Sequence, residues 1–364
     1  MTRTAFGGIP TLGMSATGRD NNLNLLRAVA ATGVLVSHAW PIALGEGTVQ
    51  PLERLTGFTL GTLCVYVFFV VSGFLIAGSW SRRPDPVRFT LARALRLMPG
   101  LAVSLVLVAV VMGPLVTDLP PAAYVADSRV WSFLARNVTL AFPQYTLPGV
   151  FEGNPYPTVE GSIWTLVHEA LCYAGVLGAG LTGLMAPRRL PFALVTFAVA
   201  WVALAAAPGI VPGRLADLHG LSLPFAFGMA AWALRDRLPL SGWLAAAGLL
   251  AALAVSRLEP SGAGSALPHA AWCAALGYGA LWAAYVPGGR MRLYNRLGDY
   301  SYGIYIYAFP LQGLAVWLFG PMGPWANIAI ALPMTIVPSV LSWHLVERPA
   351  LELVKSGWRR RRAA

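Results

Sequence analysis

"RAVAATGVLVSHAW" (residues 27–40) is a run of small and aliphatic residues with an arginine at one end and a histidine near the other. Its apolarity predicts a membrane helix, and ionisable groups inside a bilayer are expensive enough to point to function. On a helix, positions eleven apart are separated by three turns plus about 20° and roughly 16 Å of rise. Arg27 and His38 are therefore expected on one side of the helix, Arg27 near one membrane boundary and His38 deep toward the other.

The rest of the chain has the same character. Of 364 residues, 57% are hydrophobic and 11% charged, whereas a soluble domain needs about a quarter charged. The apolar residues fall in long blocks, which predicts an all-α integral membrane protein. Ten spans are expected near 23–43, 60–80, 92–115, 163–184, 192–207, 219–234, 240–255, 269–285, 300–319 and 326–345. With both termini cytoplasmic, 20 basic residues, or 21 with Arg27, fall inside; Arg54, Arg129, Arg136, Arg214 and Arg257 fall outside. That bias fits the positive-inside rule. The formal charge of +11 then reads as topology signal, and no nucleic-acid partner is expected. Trp and Tyr near helix ends fit interfacial belts in contact with membrane lipids.

Residues 1–21 read as a Gly- and Thr-rich cytoplasmic tail compatible with disorder, and 353–364 as a basic cytoplasmic tail. The long connection at 116–160 is expected outside, as a partly helical re-entrant or lid segment. Cys64, Cys172 and Cys273 lie in apolar blocks, so neither a disulfide framework nor a metal is expected. "GVLGAG" (175–180) offers a small-residue face that packs within the bundle or between chains, leaving an oligomer open.

Beside the Arg27–His38 pair, two polar features stand out. Glu169, in "GSIWTLVHEAL", lies about two turns into a helix entering from the outer face, at a depth matching His38. A carboxylate there is suited to fix the imidazole tautomer and raise its basicity; a structural His–Glu clamp is the alternative. His168 points about 100° away. In "RFTLARALRLMP", Arg93 and Arg96 share a helix face close in depth to Arg27. Guanidiniums converging at one depth make a phosphate site, because the planar fork binds phosphate bidentately. Phosphates at the cytoplasmic side, with a reactive group about 16 Å outward, suit acetyl-CoA.

Together these stretches resemble the membrane-bound acyltransferase-3 family, bacterial surface-glycan O-acyltransferases. "LRAVAATGVLVSH" is similar to its Arg-x10-His first helix, "VYVFFVVSGFLIAGSW" to its second, and "RFTLARALRLMPG" to its Arg-x-x-Arg motif. "SIWTLVHE", "LGDYSYGIYIYAFPLQ" and "LVERPAL" follow in order, so the likeness covers about residues 22–352. The resemblance implies a multi-pass protein of the bacterial inner membrane, with His38 and Glu169 as the catalytic pair. It implies Arg27, Arg93 and Arg96, with Ser72 and Gly73, on the acyl-CoA side; close packing of small residues is the other reading of Ser72 and Gly73. Asn24 stands where many members carry aspartate, and Ala308 where the ninth helix often carries histidine. Trp164, Tyr302 and Tyr305 are candidates to line a glycan path, or to pack.

The expected reaction is transfer of an acyl group, acetyl first, from cytoplasmic acyl-CoA to a hydroxyl of a cell-surface or lipid-linked glycan. His38 acts as general base or takes the acyl group covalently. The alternative is a transporter or flippase for an anionic lipid-linked sugar.

Overall fold

A computed structural model describes residues 8–18, 20–207, 213–258 and 266–353. Arg3, Arg19, Lys355, Arg359–Arg362 and all of the basic tail except Leu353 lie outside the described residues. Among those described, the chain is all-helical, apart from an isolated bridge between Thr11 and Pro239.

Every expected apolar segment is helical: α1 Leu23–Leu44, α2 Leu60–Arg82, α3 Pro86–Val106, and, past a short helix α4 Ser128–Val138, α5 Ile163–Leu181 and α6 Leu190–Ala205. Then come α7 Gly213–Ala233, α8 Gly242–Leu258, α9 Ala266–Tyr285, α10 Ser301–Phe319 and α11 Pro324–Ser342. Among the described residues, five helical stretches are long and apolar enough to cross a membrane: Leu23–Leu44, Leu60–Arg82, Pro86–Val116, Ser301–Phe319 and Pro324–Leu353. The third and fifth exceed α3 and α11 because π-helical turns, Leu107–Met112 and Trp343–Glu347, carry them onward. α6 and α8 are apolar but only 16 and 17 residues long, near the lower limit for a span.

The chain divides into two compact units. The first comprises Met1–Ala30, Pro51–Phe89 and His168–Gly298. Its central contact joins α2 and α7, where a Cβ on Gly73 would run into the Phe225 backbone and one on Gly228 into the Val70 carbonyl. Two glycines thus bring two helix backbones together, as small residues do in bilayers. Gly73→Ala is expected to destabilise by about 1–3 kcal/mol or more, because backbone cannot move aside as a rotamer can. Thermal unfolding in detergent reads this; Gly178→Ala, whose Cβ meets nothing within 4 Å, serves as control.

Part of the N-terminal segment is docked in this unit. Leu12 N–H donates to the Leu238 carbonyl, Gly13 N–H to that of Arg235, and Leu240 N–H to that of Pro10, all at 2.8–2.9 Å. Leu12 is buried with Phe74, Leu240, Leu281 and Tyr285. Disorder therefore does not extend over Pro10–Gly13, where one leucine supplies the apolar anchor.

The second unit comprises Ala31–Gln50, Thr90–Val167 and Asp299–Ala364. α10 is its axis, buried along most of its length. Gln312 donates to the Leu35 carbonyl (2.9 Å) and to Asn327 (3.0 Å), and Asn327 returns a bond to the Gln312 carbonyl (3.0 Å). These bonds tie α10 to α1 and α11 through buried amides, while Gln312 Oε1 is buried without a hydrogen-bond partner among the described residues. The connection around 116–160 is partly helical, with Pro121–Ala126 and α4. Its Tyr124 hydroxyl donates to the Ala109 carbonyl in the π-turn (2.8 Å), over Gly113, whose Cβ the ring would exclude. Leu140, Phe142 and Phe151 take left-handed backbone conformations here, a strain typical of functional segments.

Candidate active site

In the first unit, α5 carries Glu169. Ser72 Oγ of α2 donates to its Oε1 at 2.9 Å, and the Tyr173 hydroxyl, one turn further along α5, donates to the same oxygen. The Gly73 contact fixes α2 at this height. Of the Ser-Gly pair, serine therefore reaches the carboxylate and glycine makes the helix contact. Arg27, at the start of α1, lies 6.0 Å from the centroid of the Phe68 ring, a cation–π distance. His168 is buried.

Tyr173 was not singled out from the sequence. Its i, i+4 spacing from Glu169 is a helix-neighbour signal, but a tyrosine in an apolar run reads first as packing. Tyr173→Phe is expected to lower turnover about tenfold, since leaving a part-buried acceptor without one of its donors costs ~1–3 kcal/mol. Steady-state kinetics checks this, with kcat falling and KM steady.

In the second unit, His38 is half-buried, and its Nδ1 has no hydrogen-bond partner among the described residues. Phe309 meets the imidazole edge-on, with centroids 5.2 Å apart. Gly161 makes room for that ring, since a Cβ there would meet the Phe309 edge; Tyr156 packs on the phenyl ring as well. Tyr305 is buried, with its hydroxyl donating to the Ser162 carbonyl (3.2 Å) and bonded to Thr165. Tyr302 is buried too, donating to the Leu97 carbonyl (2.7 Å). Both tyrosines thus hold helices in place, while Trp164 is half-buried.

Arg93 and Arg96 both belong to this unit. Arg96 is engaged with acids: Nη2 lies 2.6 Å from Asp299, Nη1 lies 3.7 Å from Glu347, and the guanidinium rests 5.8 Å from the Tyr302 ring centroid. Ser301 donates to Asp299 (2.5 Å) and Ser342 to Glu347 (2.9 Å). Gly100 admits both Tyr302 and Glu347 to this corner. Asp299 and Glu347 lie in the "LGDYSYG" and "LVERPAL" stretches, but nothing local tied either to Arg96.

Glu160, just ahead of α5, is a further buried acid. It is 1% exposed, and its Oε1 accepts a 3.3 Å hydrogen bond from Ser162 N–H. Burial pushes its carboxyl well above the ordinary 4.5, against the smaller lowering effect of that bond. A raised folded-state value contributes stability below about 4.5 that is lost as pH rises through the raised value. The wild type is therefore expected to lose thermal stability with rising pH relative to Glu160→Gln, in melting curves recorded from pH 4.5 upward.

Among the described residues, no group of three or more His, Cys, Asp and Glu side chains is placed to hold a metal. The profile of a family described as an acyltransferase domain matches residues 20–344. A protein of Shigella phage Sf6 named O-acetyl transferase is 27% identical over 346 residues, covering 91% of this chain and 96% of its own length. Nodulation protein 10 of Rhizobium leguminosarum bv. viciae is 29% identical over 379 residues, covering 93% of this chain and 95% of its own. No solved structure matches the chain.

Proposed function

Because the chain belongs to the acyltransferase-3 family, whose profile matches residues 20–344, we propose that it transfers an acyl group, acetyl first, from cytoplasmic acyl-CoA to a hydroxyl of a cell-surface or lipid-linked glycan. It does so as a ten-span protein of the bacterial inner membrane with both termini inside. The observation that carries the reading is His38: an imidazole in an apolar helix, its Nδ1 without a hydrogen-bond partner among the described residues. A sugar hydroxyl is almost wholly un-ionised at neutral pH and needs a base as it attacks. His38 takes that proton while the hydroxyl oxygen bonds to the thioester carbonyl carbon. The carbon–sulfur bond then breaks, and the departing thiolate receives the proton from His38.

Glu169 is the second catalytic group, its carboxylate oriented by Ser72 and Tyr173. Arg27 and Arg93 serve the donor phosphates as charge-bearing forks. The Arg96 fork is already held by two carboxylates, so its first role is to tie α3 to the segment leading into α10 and to the π-turn that follows α11. Trp164, half-buried near the start of α5, faces the acceptor. The name of the phage relative supports acetyl over longer groups, and the family assignment favours transfer over transport.

The test is a purified, detergent-solubilised protein given radiolabelled acetyl-CoA and a panel of saccharide and lipid-linked saccharide acceptors. Label moving into one acceptor with stoichiometric release of free thiol is expected. Label that stays on CoA with every acceptor would overturn the reading.

A further inference from the structure

Helices α5, α6 and α7, within the first unit, wall a cavity of about 750 Å³, well inside the ~300–1,000 Å³ of ligand sites. Its lining is aliphatic and aromatic, with the side chains of Trp201, His219 and Ser222 as its main polar groups. Each of these is turned onto the protein. Trp201 Nε1 donates to the His219 carbonyl (2.8 Å), His219 Nε2 is bonded to the Trp201 carbonyl (2.9 Å), and Ser222 Oγ donates to the His219 carbonyl (2.9 Å). The Trp201 and His219 rings stack at 4.5 Å. A cavity whose polar groups are satisfied in this way favours hydrocarbon over water or sugar.

The cavity is also kept open. Gly175 lines it, and a Cβ there would meet nothing within 4 Å. It reaches the candidate site as well. Cys172 in its wall lies one turn along α5 from Glu169, and Phe225 in its wall packs on Tyr173 at 6.4 Å between centroids. Tyr173 in turn holds the Glu169 carboxylate.

We propose that this cavity takes the hydrocarbon tail of a lipid-linked saccharide acceptor, so that the sugar it carries is presented at Glu169. The inference rests on the acyl-transfer reading for its choice of lipid. The acyl chain of an acetyl donor is only a methyl group, and its pantetheine arm and nucleotide are polar and ill-suited to this apolar lining, so the hydrocarbon comes with the acceptor. The small-residue stretch "GVLGAG" then serves as the wall of a tail channel.

The test uses the full chain in lipid nanodiscs with a diazirine-tagged long-chain polyprenyl phosphate, the labelled residues being mapped by mass spectrometry. Labelling is expected within residues 171–229, displaced by untagged polyprenyl phosphate and not by phosphatidylglycerol. Gly175→Leu, alone and with Ala193→Phe, fills the cavity and is expected to cut labelling about tenfold, because excluding two methylenes at ~0.8 kcal/mol each is already that large. Gly178→Leu, on the same helix but outside the cavity lining, should leave labelling unchanged. Equal displacement by phosphatidylglycerol would make the cavity an ordinary lipid groove and overturn the proposal. So would labelling elsewhere, or labelling indifferent to both filling variants. Thiol release from acetyl-CoA, measured on the same preparation, keeps the two readings apart: turnover without cavity labelling removes the tail site alone, and selective labelling without turnover removes acyl transfer alone.

Discussion

Replacing His38 with alanine is expected to reduce acyl transfer by about 10²–10⁴-fold, the contribution of a positioned general base, while membrane insertion and thermal stability stay close to wild type. The second half follows from the surroundings of the ring. Its Nδ1 forms no hydrogen bond within the described residues, and its described ring contact is the edge-on Phe309. Removing the imidazole thus strands no buried partner, which is what makes polar deletions costly elsewhere. His38→Gln is the sharper variant, since it keeps a polar side chain of similar length but cannot take up a proton at neutral pH. The measurement is labelled acetyl transfer by purified variants beside their melting curves. Turnover unchanged in His38→Ala would remove both the general-base and the acyl-histidine versions. Activity lost together with the fold would give His38 to packing.

Arg96→Ala is expected to have the largest effect on stability. It removes the cation from Asp299 and Glu347 at once, and Glu347 is only 1% exposed. Deleting one partner of a buried ion pair costs about 3–5 kcal/mol, because the remaining charge stays uncompensated. Arg96→Lys keeps the charge but loses the fork that spans two carboxylates, so an intermediate loss is expected. Neutralising an acid in the same background, as in Arg96→Ala with Glu347→Gln, should recover part of it. Unfolding of the detergent-solubilised variants reads all three. Acetyl-CoA affinity, measured where each variant is still folded, gives the opposing outcome. A large loss of affinity with stability unchanged would make Arg96 a phosphate ligand and its acidic contacts incidental.

The extent of what could be read ahead of the structure follows from the range of each signal. Apolar blocks are local, so helices appear at all the expected places, from Leu23–Leu44 to Pro324–Ser342. The π-turns at Leu107–Met112 and Trp343–Glu347 leave no mark on hydropathy, since they change hydrogen-bond register without changing composition. The arginines were visible as costly charges, but Asp299 is 203 positions from Arg96, and long-range pairing has no periodicity to betray it. Glu160 sat in a turn-rich stretch, where a carboxylate is expected to be solvated; only the fold shows it buried. Leu12 was a lone leucine in a polar tail, and its docking depends on residues near 238 and 284.

The contacts of Gly73 with the Phe225 backbone and of Gly228 with the Val70 backbone have a mechanical consequence. Packed helices slide on layers of side chains that change rotamer as they shift. Where backbone rests on backbone that lubricating layer is missing, and α2 and α7 are left as a single strut. Any rearrangement by which the first unit admits a long molecule is then expected at α5 and α6, which wall the cavity beside that strut. Crosslinks between α2 and α7 should accordingly be tolerated by the working protein, whereas crosslinks between α5 and α6 should stall it.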